Sequence, residues 1–329
     1  MKPGLAGEIF KIDSNASFKN IALKIFRYQA ECNPVYSEFL KWLGTDPAEI
    51  SEIEEIPFLP VELFKNHRII TGPDSSELVF ESSGTTGNST SRHYVSDRSL
   101  YEESFSRTFR IFYGEPSGYI ISALLPSYAE RDNSSLVYMM NSLIRQSAKA
   151  ESGFYINNVE ELLAGIKKWK AESRRIFLLG VSFALLDMAE KYSPDLSGTT
   201  VMETGGMKGR RNELTREELH SVLKEKFNIT EVHSEYGMTE LLSQAYSRAG
   251  GLYQSPPWMK VLIRDTHDPL TMIDEPLRTG GINIIDLANI NSCSFISTGD
   301  LGRMHEDGRF EVLGRFDSSD IRGCNLLTT

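Results

Sequence analysis

Apolar residues recur at helical spacing in the N-terminal part of the chain. The residues that would share one helical face there are Phe18, Ile21, Ala22, Ile25 and Phe26. A second, shorter amphipathic segment runs from Tyr36 to Leu43, and Pro57 and Pro60 then favour an extended connection. The pattern predicts a helical lead-in over residues 1–70.

From Tyr119 onward, continuous apolar runs alternate with amphipathic segments. The runs YIISALLP, IFLLGVS and VMETGG are typical of buried strands, and the segments SSLVYMMNSLIRQ, FALLDMAEKY and LTREELHSVLKEKF are typical of helices. Strands that alternate with helices favour a mostly parallel sheet. We therefore expect an α/β core over residues 71–257.

Beyond Trp258 the pattern changes to short β-like pieces separated by Gly, Asp and Asn. These pieces are KVLIRD, GINIIDL, CSFISTGDLG and RFEVLGR. We expect residues 258–329 to form a β-rich lobe, either a small barrel or an antiparallel sheet packed against the core. The predicted fold class is therefore α/β, with a parallel-sheet lobe and a smaller β-rich lobe.

Composition narrows the classes of function. The net charge of −10 argues against a nucleic-acid groove, because binding phosphates needs a surplus of Lys and Arg. No apolar run reaches the roughly 20 residues that span a bilayer, and the N-terminus has no apolar signal-peptide core. Cys32, Cys293 and Cys324 are too few and too irregularly spaced for a disulfide framework, and no zinc-type spacing is present. We expect a cytoplasmic protein without a membrane span.

A run of hydroxyl and glycine residues from Glu81 to Thr90 is the strongest local signal. Glycines let backbone N–H groups approach phosphate oxygens closely, and Ser and Thr hydroxyls donate to them. The GxxxxGK[ST] spacing and its lysine are missing, so this is not a P-loop. Taken alone, the run fits a mobile Ser/Gly-rich linker equally well.

Two further motifs carry polar groups suited to a nucleotide. In the segment Glu235 to Glu240, a glutamate is suited to Mg²⁺ beside a triphosphate, and Tyr236 to a base; a turn into a helix is the alternative. In the segment Ser297 to Asp300, the aspartate is suited to ribose hydroxyls, and Arg315 of the following GRFD is suited to phosphate charge. Each of these last two has a β-turn as its simpler explanation.

In combination, SSGTTG, YGMTE, STGD and GRFD resemble the ordered motifs of the adenylate-forming superfamily, which includes acyl-CoA synthetases, phenylacetate-CoA ligases and firefly luciferase. The resemblance implies ATP and Mg²⁺ as cofactors, with Glu240 on the magnesium ion, Asp300 on the ribose, Tyr236 beside adenine and Arg315 near the ribose or phosphate. The implied cofactor-binding residues are Ser82, Ser83, Gly84, Thr85, Thr86, Gly87, Tyr236, Gly237, Thr239, Asp300 and Arg315.

Departures from the common pattern narrow the family. The usual lysine after the first loop is absent, and Arg92 or His93 is the nearest substitute for its charge. Most relatives continue beyond the position of Gly323 into a mobile C-terminal domain with a catalytic lysine, and we expect this full domain to be absent here. Together with LLPSYAERDNSSLVYMMNSLI, ETGGMKGRRNELTREELH and DIRGCNLL, this resembles the LuxE-type acyl-protein synthetases.

That family resemblance implies a function and a catalytic cysteine, and the GGMKGRR turn offers a further candidate residue. Its members activate a fatty acid with ATP, carry the acyl group on a cysteine near the C-terminus and deliver it to an acyl-reductase partner. Cys324 stands at the matching place, although a small apolar residue in a final strand is the alternative. Lys208 is a candidate for the acyl carboxylate or the α-phosphate, or else part of a solvated turn.

Two other functions stay open. A phenylacetate-type ligase would transfer the acyl group to coenzyme A, and it shares the adenylation motifs. A catalytically inactive subunit would bind and stabilise a reductase partner; the presence of Glu240, Asp300 and Cys324 argues against it, and the two missing lysines argue for it.

Overall fold

Strands and helices alternate along the chain as predicted. The computed structural model describes residues 4–73, 75–82, 90–126, 133–205 and 214–316. The described α-helices are α1 (Leu5–Ile9), α2 (Asn15–Cys32), α3 (Pro34–Leu43), α4 (Leu63–Asn66), α5 (Arg98–Tyr113), α6 (Ser135–Ser147), α7 (Val159–Ala171), α8 (Ser182–Tyr192) and α9 (Arg216–Phe227). Within this part of the chain, no helix is long and apolar enough to cross a membrane.

The strands are short at the N-terminal end and longest near the C-terminal end. They are β1 (Leu59–Pro60), β2 (Leu78–Glu81), β3 (Arg92–Val95), β4 (Ile120–Leu124), β5 (Gly153–Phe154), β6 (Ile176–Val181), β7 (Thr200–Thr204), β8 (His233–Tyr236), β9 (Ala245–Ser247), β10 (Tyr253–Gln254), β11 (Met259–Arg264), β12 (Met272–Ile273), β13 (Gly280–Asp286), β14 (Phe295–Met304) and β15 (Phe310–Arg315).

Thirteen of the described strands form one mixed sheet. Its order is β12-β11-β13-β14-β15-β10-β9-β8-β7-β6-β4-β5, with β1 added beside β14, while β2 and β3 pair separately as a hairpin. Adjacent strands in the series β5, β4, β6, β7 and β8 pair in parallel. The pairs from β8–β9 to β11–β12 along the sheet are antiparallel. The β-rich lobe is therefore an antiparallel continuation of the parallel sheet.

Helices cover both faces of the parallel strands. Alternate residues of β4 and β6 belong to opposite clusters: Ile120 and Leu178 pack with α7, α8 and α9, whereas Ile121 and Phe177 pack with α2, α5 and α6. Since both faces are covered, every position of β4 and β6 is buried, as expected for parallel strands that appear as unbroken apolar runs in the sequence.

The helix starts are encoded locally. Thr215 accepts a hydrogen bond from the Glu218 amide and Glu218 caps the Thr215 amide in return, which satisfies two amide donors at the start of α9. Asp97 caps α5 through the Ser99 amide in the same way. Local hydrogen bonds therefore determine where these two helices begin.

Candidate active site

The hydroxyl-rich loop is closed at its base by the β2–β3 hairpin. The Ser82 amide donates to the Ser91 carbonyl oxygen at 3.1 Å, and the Ser91 amide donates to Ser82 Oγ at 3.0 Å. The chain therefore leaves and re-enters the hairpin at one place. Between these two serines, Ser83, Gly84, Thr85, Thr86 and Gly87 lie outside the described residues, and their phosphate-binding role stays a prediction.

Glu240 lies beside the base of this loop. It follows β8 in an irregular segment, and its side chain is buried. Burial raises the pKa of the Glu240 carboxyl above its usual value; the nearby Ser91 hydroxyl and the Arg315 charge oppose this rise, and the Asp300 charge adds to it. A cation bound here would offset both the burial and the like charge.

Asp300 is held in the middle of β14 by a buried tyrosine. Tyr236, the last residue of β8, donates its hydroxyl to Asp300 Oδ2 at 2.7 Å, and its ring packs edge-on against Tyr253 and Phe310 at 5.8 Å each. Burial, and then the Asp300 charge, raise the pKa of the Tyr236 hydroxyl well above its usual value, so it stays a donor. The second and third motifs therefore meet through this bond.

Arg315 contacts the same carboxylate from the solvent side. It lies opposite Asp300 in the β14–β15 register, its Nε is 3.4 Å from Asp300 Oδ1, and its side chain is 83% exposed. Because the Arg315 side chain lies largely in solvent, its guanidinium is free to turn from the buried Asp300 carboxylate to a ligand anion. The next residue, Phe316, donates its amide to the Gly299 carbonyl oxygen at 2.9 Å.

Gly237 has a packing reason to be a glycine. A Cβ atom at this position would lie 2.5 Å from Glu235 Oε1, because the Glu235 carboxyl is tucked beneath the turn. Burial raises the pKa of Glu235 to about 7, and the nearby Glu203 charge adds to the rise, whereas a hydrogen bond from Thr204 opposes it. Thr239 is half-buried in the same turn. Direct contacts of Gly237 and Thr239 with a nucleotide stay predictions.

The residues present suit a magnesium ion held with a nucleotide. Mg²⁺ is commonly bound through one or two carboxylates plus substrate phosphates, and the Glu240 and Asp300 carboxylates are close enough to influence each other. Within the described ranges, no group of three or more His, Cys, Asp or Glu residues forms a metal site by itself.

The other residues singled out in the sequence are either outside the described ranges or poorly suited to their predicted role. Lys208 and Cys324 lie outside the described residues. His93 is a poor substitute for the missing loop lysine, because it is fully buried and burial lowers its pKa to about 4, which keeps it neutral. Arg92 is exposed and pairs with Glu81 at 3.2 Å.

Three residues beside the site have roles that the motifs do not indicate. The Ser91 hydroxyl lies near the Glu240 carboxyl, Asn289 donates to the Glu240 carbonyl oxygen at 2.6 Å, and Arg264 is buried near Asp300. Burial lowers the pKa of Arg264, and the charges of Glu62 and Asp300 oppose this. Of these, Ser91 could have been suspected, since it stands only four positions beyond Gly87. The other two are distant in sequence from the residues that they serve.

Comparison with known proteins identifies one family whose model covers nearly the whole chain. The model of the family described as acyl-protein synthetase, LuxE, matches residues 10–329. No curated protein matches in sequence.

Solved structures with a similar fold were also found. ATP-bound MatB from Rhodopseudomonas palustris aligns with a TM-score of 0.53 at 15% identity, over 74% of this chain and 49% of that chain. The luciferase-like enzyme from the nonluminescent Zophobas morio mealworm aligns with a TM-score of 0.52 at 17% identity, over 83% and 62%. O-succinylbenzoate coenzyme A synthetase from Bacillus subtilis, in complex with ATP and magnesium ion, aligns with a TM-score of 0.50 at 18% identity, over 74% and 50%.

These alignments concern the fold. The matched region covers between about half and three-fifths of each of those structures. The predicted fold class, the α/β fold of the adenylate-forming enzymes, is confirmed.

Proposed function

Since this chain belongs to the LuxE family of acyl-protein synthetases, we propose that it activates a fatty acid with ATP and carries the acyl group on Cys324 for delivery to an acyl-reductase partner. The observation that most supports this is the meeting of three separate motifs. The Ser91 hydroxyl at the base of the hydroxyl-rich loop lies near enough to the Glu240 carboxyl to lower its pKa, and Tyr236 donates a hydrogen bond to Asp300, whose charge raises the Glu240 pKa. Structures of similar fold contain ATP, in one case with magnesium ion.

The first half-reaction forms an acyl-adenylate. A carboxylate oxygen of the fatty acid attacks the α-phosphorus of ATP, the bond from that phosphorus to the bridging oxygen breaks, and pyrophosphate leaves. Magnesium, when bound, neutralises charge on the phosphoryl oxygens. In our proposal Glu240 holds the ion, the loop from Ser82 to Gly87 donates to the phosphates, and Lys208 binds the acyl carboxylate or the α-phosphate.

The nucleotide is oriented from its sugar side. Asp300 has a carboxylate to accept hydrogen bonds from ribose hydroxyls, and the Tyr236 hydroxyl holds that carboxylate in one orientation. Arg315 is exposed and able to turn from Asp300 to the ribose or a phosphate. The Tyr236 ring is packed against Tyr253 and Phe310, so any contact with adenine would use its remaining edge.

The second half-reaction moves the acyl group to sulfur. The Cys324 thiolate attacks the acyl carbonyl carbon, a thioester forms, and AMP leaves with the electrons of the broken carbon–oxygen bond. Arg322 is two residues away in sequence and is suited to favour the thiolate. Burial raises the pKa of the Cys293 thiol to about 12, which makes that cysteine unsuitable as a carrier.

The two half-reactions can be tested separately on the full chain. Wild-type protein with ATP, Mg²⁺ and a panel of fatty acids should exchange labelled pyrophosphate into ATP and gain a hydroxylamine-labile acyl label. Cys324→Ser should keep the exchange and lose the label, because the hydroxyl stays protonated and is a poorer nucleophile. Cys32→Ser, which changes a half-buried cysteine, is the matched control and should keep both.

Other results would redirect the proposal. Release of ADP with an acyl-phosphate would exclude adenylation, because a different phosphoanhydride bond would have broken. Labelling of Cys324→Ser would exclude the carrier assignment alone. Accumulation of acyl-CoA on addition of coenzyme A, without labelled protein, would favour the phenylacetate-type ligase. Absence of exchange with every acid would favour the inactive subunit.

A further inference from the structure

The segment between β8 and β9, residues 237–244, has little regular hydrogen bonding of its own. It contains a single turn in which the Leu241 amide donates to the Met238 carbonyl oxygen at 3.2 Å. Buried backbone groups need partners, and a segment outside helices and sheets must find them in side chains or water. Here the partners are side chains from two distant parts of the chain.

One partner is His93 of β3. Its Nδ1 is 2.9 Å from the Thr239 carbonyl oxygen, and its ring packs edge-on against Phe64 at 5.9 Å. Because burial lowers the pKa of His93 to about 4, the ring is neutral, and its single N–H must sit on Nδ1 to donate to the carbonyl. His93 therefore acts here as a neutral hydrogen-bond donor.

The other partners lie at the end of β13 and in the turn that follows it. Asn289 Nδ2 donates to the Glu240 carbonyl oxygen at 2.6 Å. Asp286 Oδ2 accepts from the amides of Leu242 and Ser243 at 2.7 and 2.9 Å. Asn289 and Asp286 are fully buried, so these bonds are shielded from competition with water.

The hydrogen bonds from His93 and Asn289 are made to the two peptide groups that flank Glu240. The Thr239 carbonyl belongs to the peptide that precedes Glu240, and the Glu240 carbonyl belongs to the peptide that follows it. Because each peptide group is planar, holding the carbonyl oxygens on both sides of Glu240 restricts its φ and ψ angles and so the direction of its Cα–Cβ bond. The Ser91 hydroxyl lies near the carboxyl group at the far end of the side chain.

We propose that His93 and Asn289 are positioning residues that aim the Glu240 carboxylate at the magnesium ion. This inference rests on the proposed function, since it concerns the same site. Partners that orient a metal ligand without touching the metal typically change metal affinity by about 10- to 100-fold when removed. A merely structural role would lower stability without changing the magnesium dependence.

The test compares asparagines that are equally buried in the same region. Asn289→Asp keeps the shape of the side chain and removes its donor to Glu240. Asn33→Asp is the matched control: Asn33 is also fully buried, and its Nδ2 donates at 2.9 Å to the carbonyl oxygen of Ser292, outside the segment. His93→Leu removes the other donor, whereas His93→Asn supplies an amide N–H near the position of Nδ1.

The first measurement is the Mg²⁺ concentration for half-maximal pyrophosphate exchange. It should rise about 10- to 100-fold in Asn289→Asp and His93→Leu. It should change little in Asn33→Asp, and His93→Asn should recover most of the His93→Leu loss. Unchanged magnesium dependence in both Asn289→Asp and His93→Leu, or an equal shift in Asn33→Asp, would overturn the positioning role.

The second measurement does not need the reaction. Amide hydrogen exchange of residues 237–244 in the unliganded protein should become faster in Asn289→Asp than in Asn33→Asp, because the Leu242 and Ser243 amides report opening of the segment. If wild-type protein has no fatty-acid-dependent exchange of pyrophosphate, the proposed function fails. If it has such exchange and these variants lose neither amide protection nor magnesium affinity, the positioning role fails alone.

Discussion

Asp300 has two side-chain partners that differ in exposure. Tyr236 reaches it from the buried side, and Arg315 from the solvent side with 83% of its own side chain exposed. The hydrogen bond from Tyr236 to the charged carboxylate is worth about 1.5–3 kcal/mol. The attraction of Arg315 to the same carboxylate is weakened by water, because the guanidinium is exposed. The tyrosine therefore sets the orientation of the carboxylate, and the arginine is available for a ligand.

Nucleotide affinity should depend on both Asp300 and Tyr236. Asp300→Ala should weaken AMP binding by about 10- to 150-fold, through loss of hydrogen bonds to the ribose worth about 1.5–3 kcal/mol. Tyr236→Phe should weaken it less, because the carboxylate remains and loses only its orientation. Calorimetry at one pH provides the measurement, with Tyr253→Phe as a control that removes a neighbouring hydroxyl and leaves the bond to Asp300. Equal affinity of Asp300→Ala and wild type would remove Asp300 from the site.

Single residues differ in how far the sequence reveals their roles. Glu240, Asp300 and Tyr236 were identified because they stand in ordered motifs, and the structure brings them together, although their binding roles stay predictions. Asn289 has no motif, since its partner Glu240 lies 49 positions away. In the sequence, His93 is a candidate to replace the charge of the missing loop lysine, and only its burial in the structure indicates that its ring is neutral.

At the scale of elements, strand β8 sends neighbouring side chains to opposite faces of the sheet. Tyr236 points toward Asp300, and Glu235 points toward the other face, where the charge of Glu235 raises the pKa of Tyr101 on α5 in addition to the larger effect of burial. One short strand therefore supplies both a site residue and a buried carboxyl beneath the site.

Stability should respond to pH through Glu235. Its pKa is raised to about 7 in the folded protein, from 4.5 when exposed, so the folded state binds the extra proton between these values. The stability that is present below pH 4.5 is therefore lost as the pH rises from about 4.5 to 7, by on the order of 3 kcal/mol. Glu235→Gln should be free of this loss. Urea unfolding at several pH values measures it, with the exposed Glu225→Gln as control; parallel pH profiles of wild type and Glu235→Gln would contradict the assignment.

The longer elements were the easier ones to predict. Strands β4 and β6 are buried at every position, and their sequences are unbroken apolar runs. Strands β9 and β10 have only three and two residues, too few to form a periodic pattern, and the sequence did not predict them. These two short strands nevertheless connect β8 to β15.

At the scale of the whole molecule, the candidate site lies where the parallel and antiparallel halves of the sheet meet. The parallel half ends in Tyr236 and leads to Glu240, and the antiparallel half carries Asp300 and Arg315. The sequence predicted both halves but not their continuity, because that depends on long-range pairing such as Tyr253 with Phe310. The three segments 1–70, 71–257 and 258–329 remain a proposal for domain boundaries.

The hydrogen bond between Phe316 and Gly299 has a kinetic consequence. It anchors the chain one residue from Asp300, and Cys324 follows Phe316 by eight positions, which span at most about 28 Å when fully extended. In the proposed function, a thiol tethered within this radius would have an effective concentration on the order of millimolar at the acyl-adenylate, far above that of another molecule in dilute solution.

Self-acylation should therefore be unimolecular. With saturating substrates, the fraction of protein labelled per second should stay constant when the enzyme is diluted 100-fold, and an adenylation-competent Cys324→Ser chain should not label a chain inactivated by Glu240→Gln in a mixture. A rate that falls in proportion to dilution would mean that one molecule acylates another. In the unimolecular case, each chain is acylated by the acyl-adenylate in its own site. The partner then only has to bind a chain that already carries the acyl group.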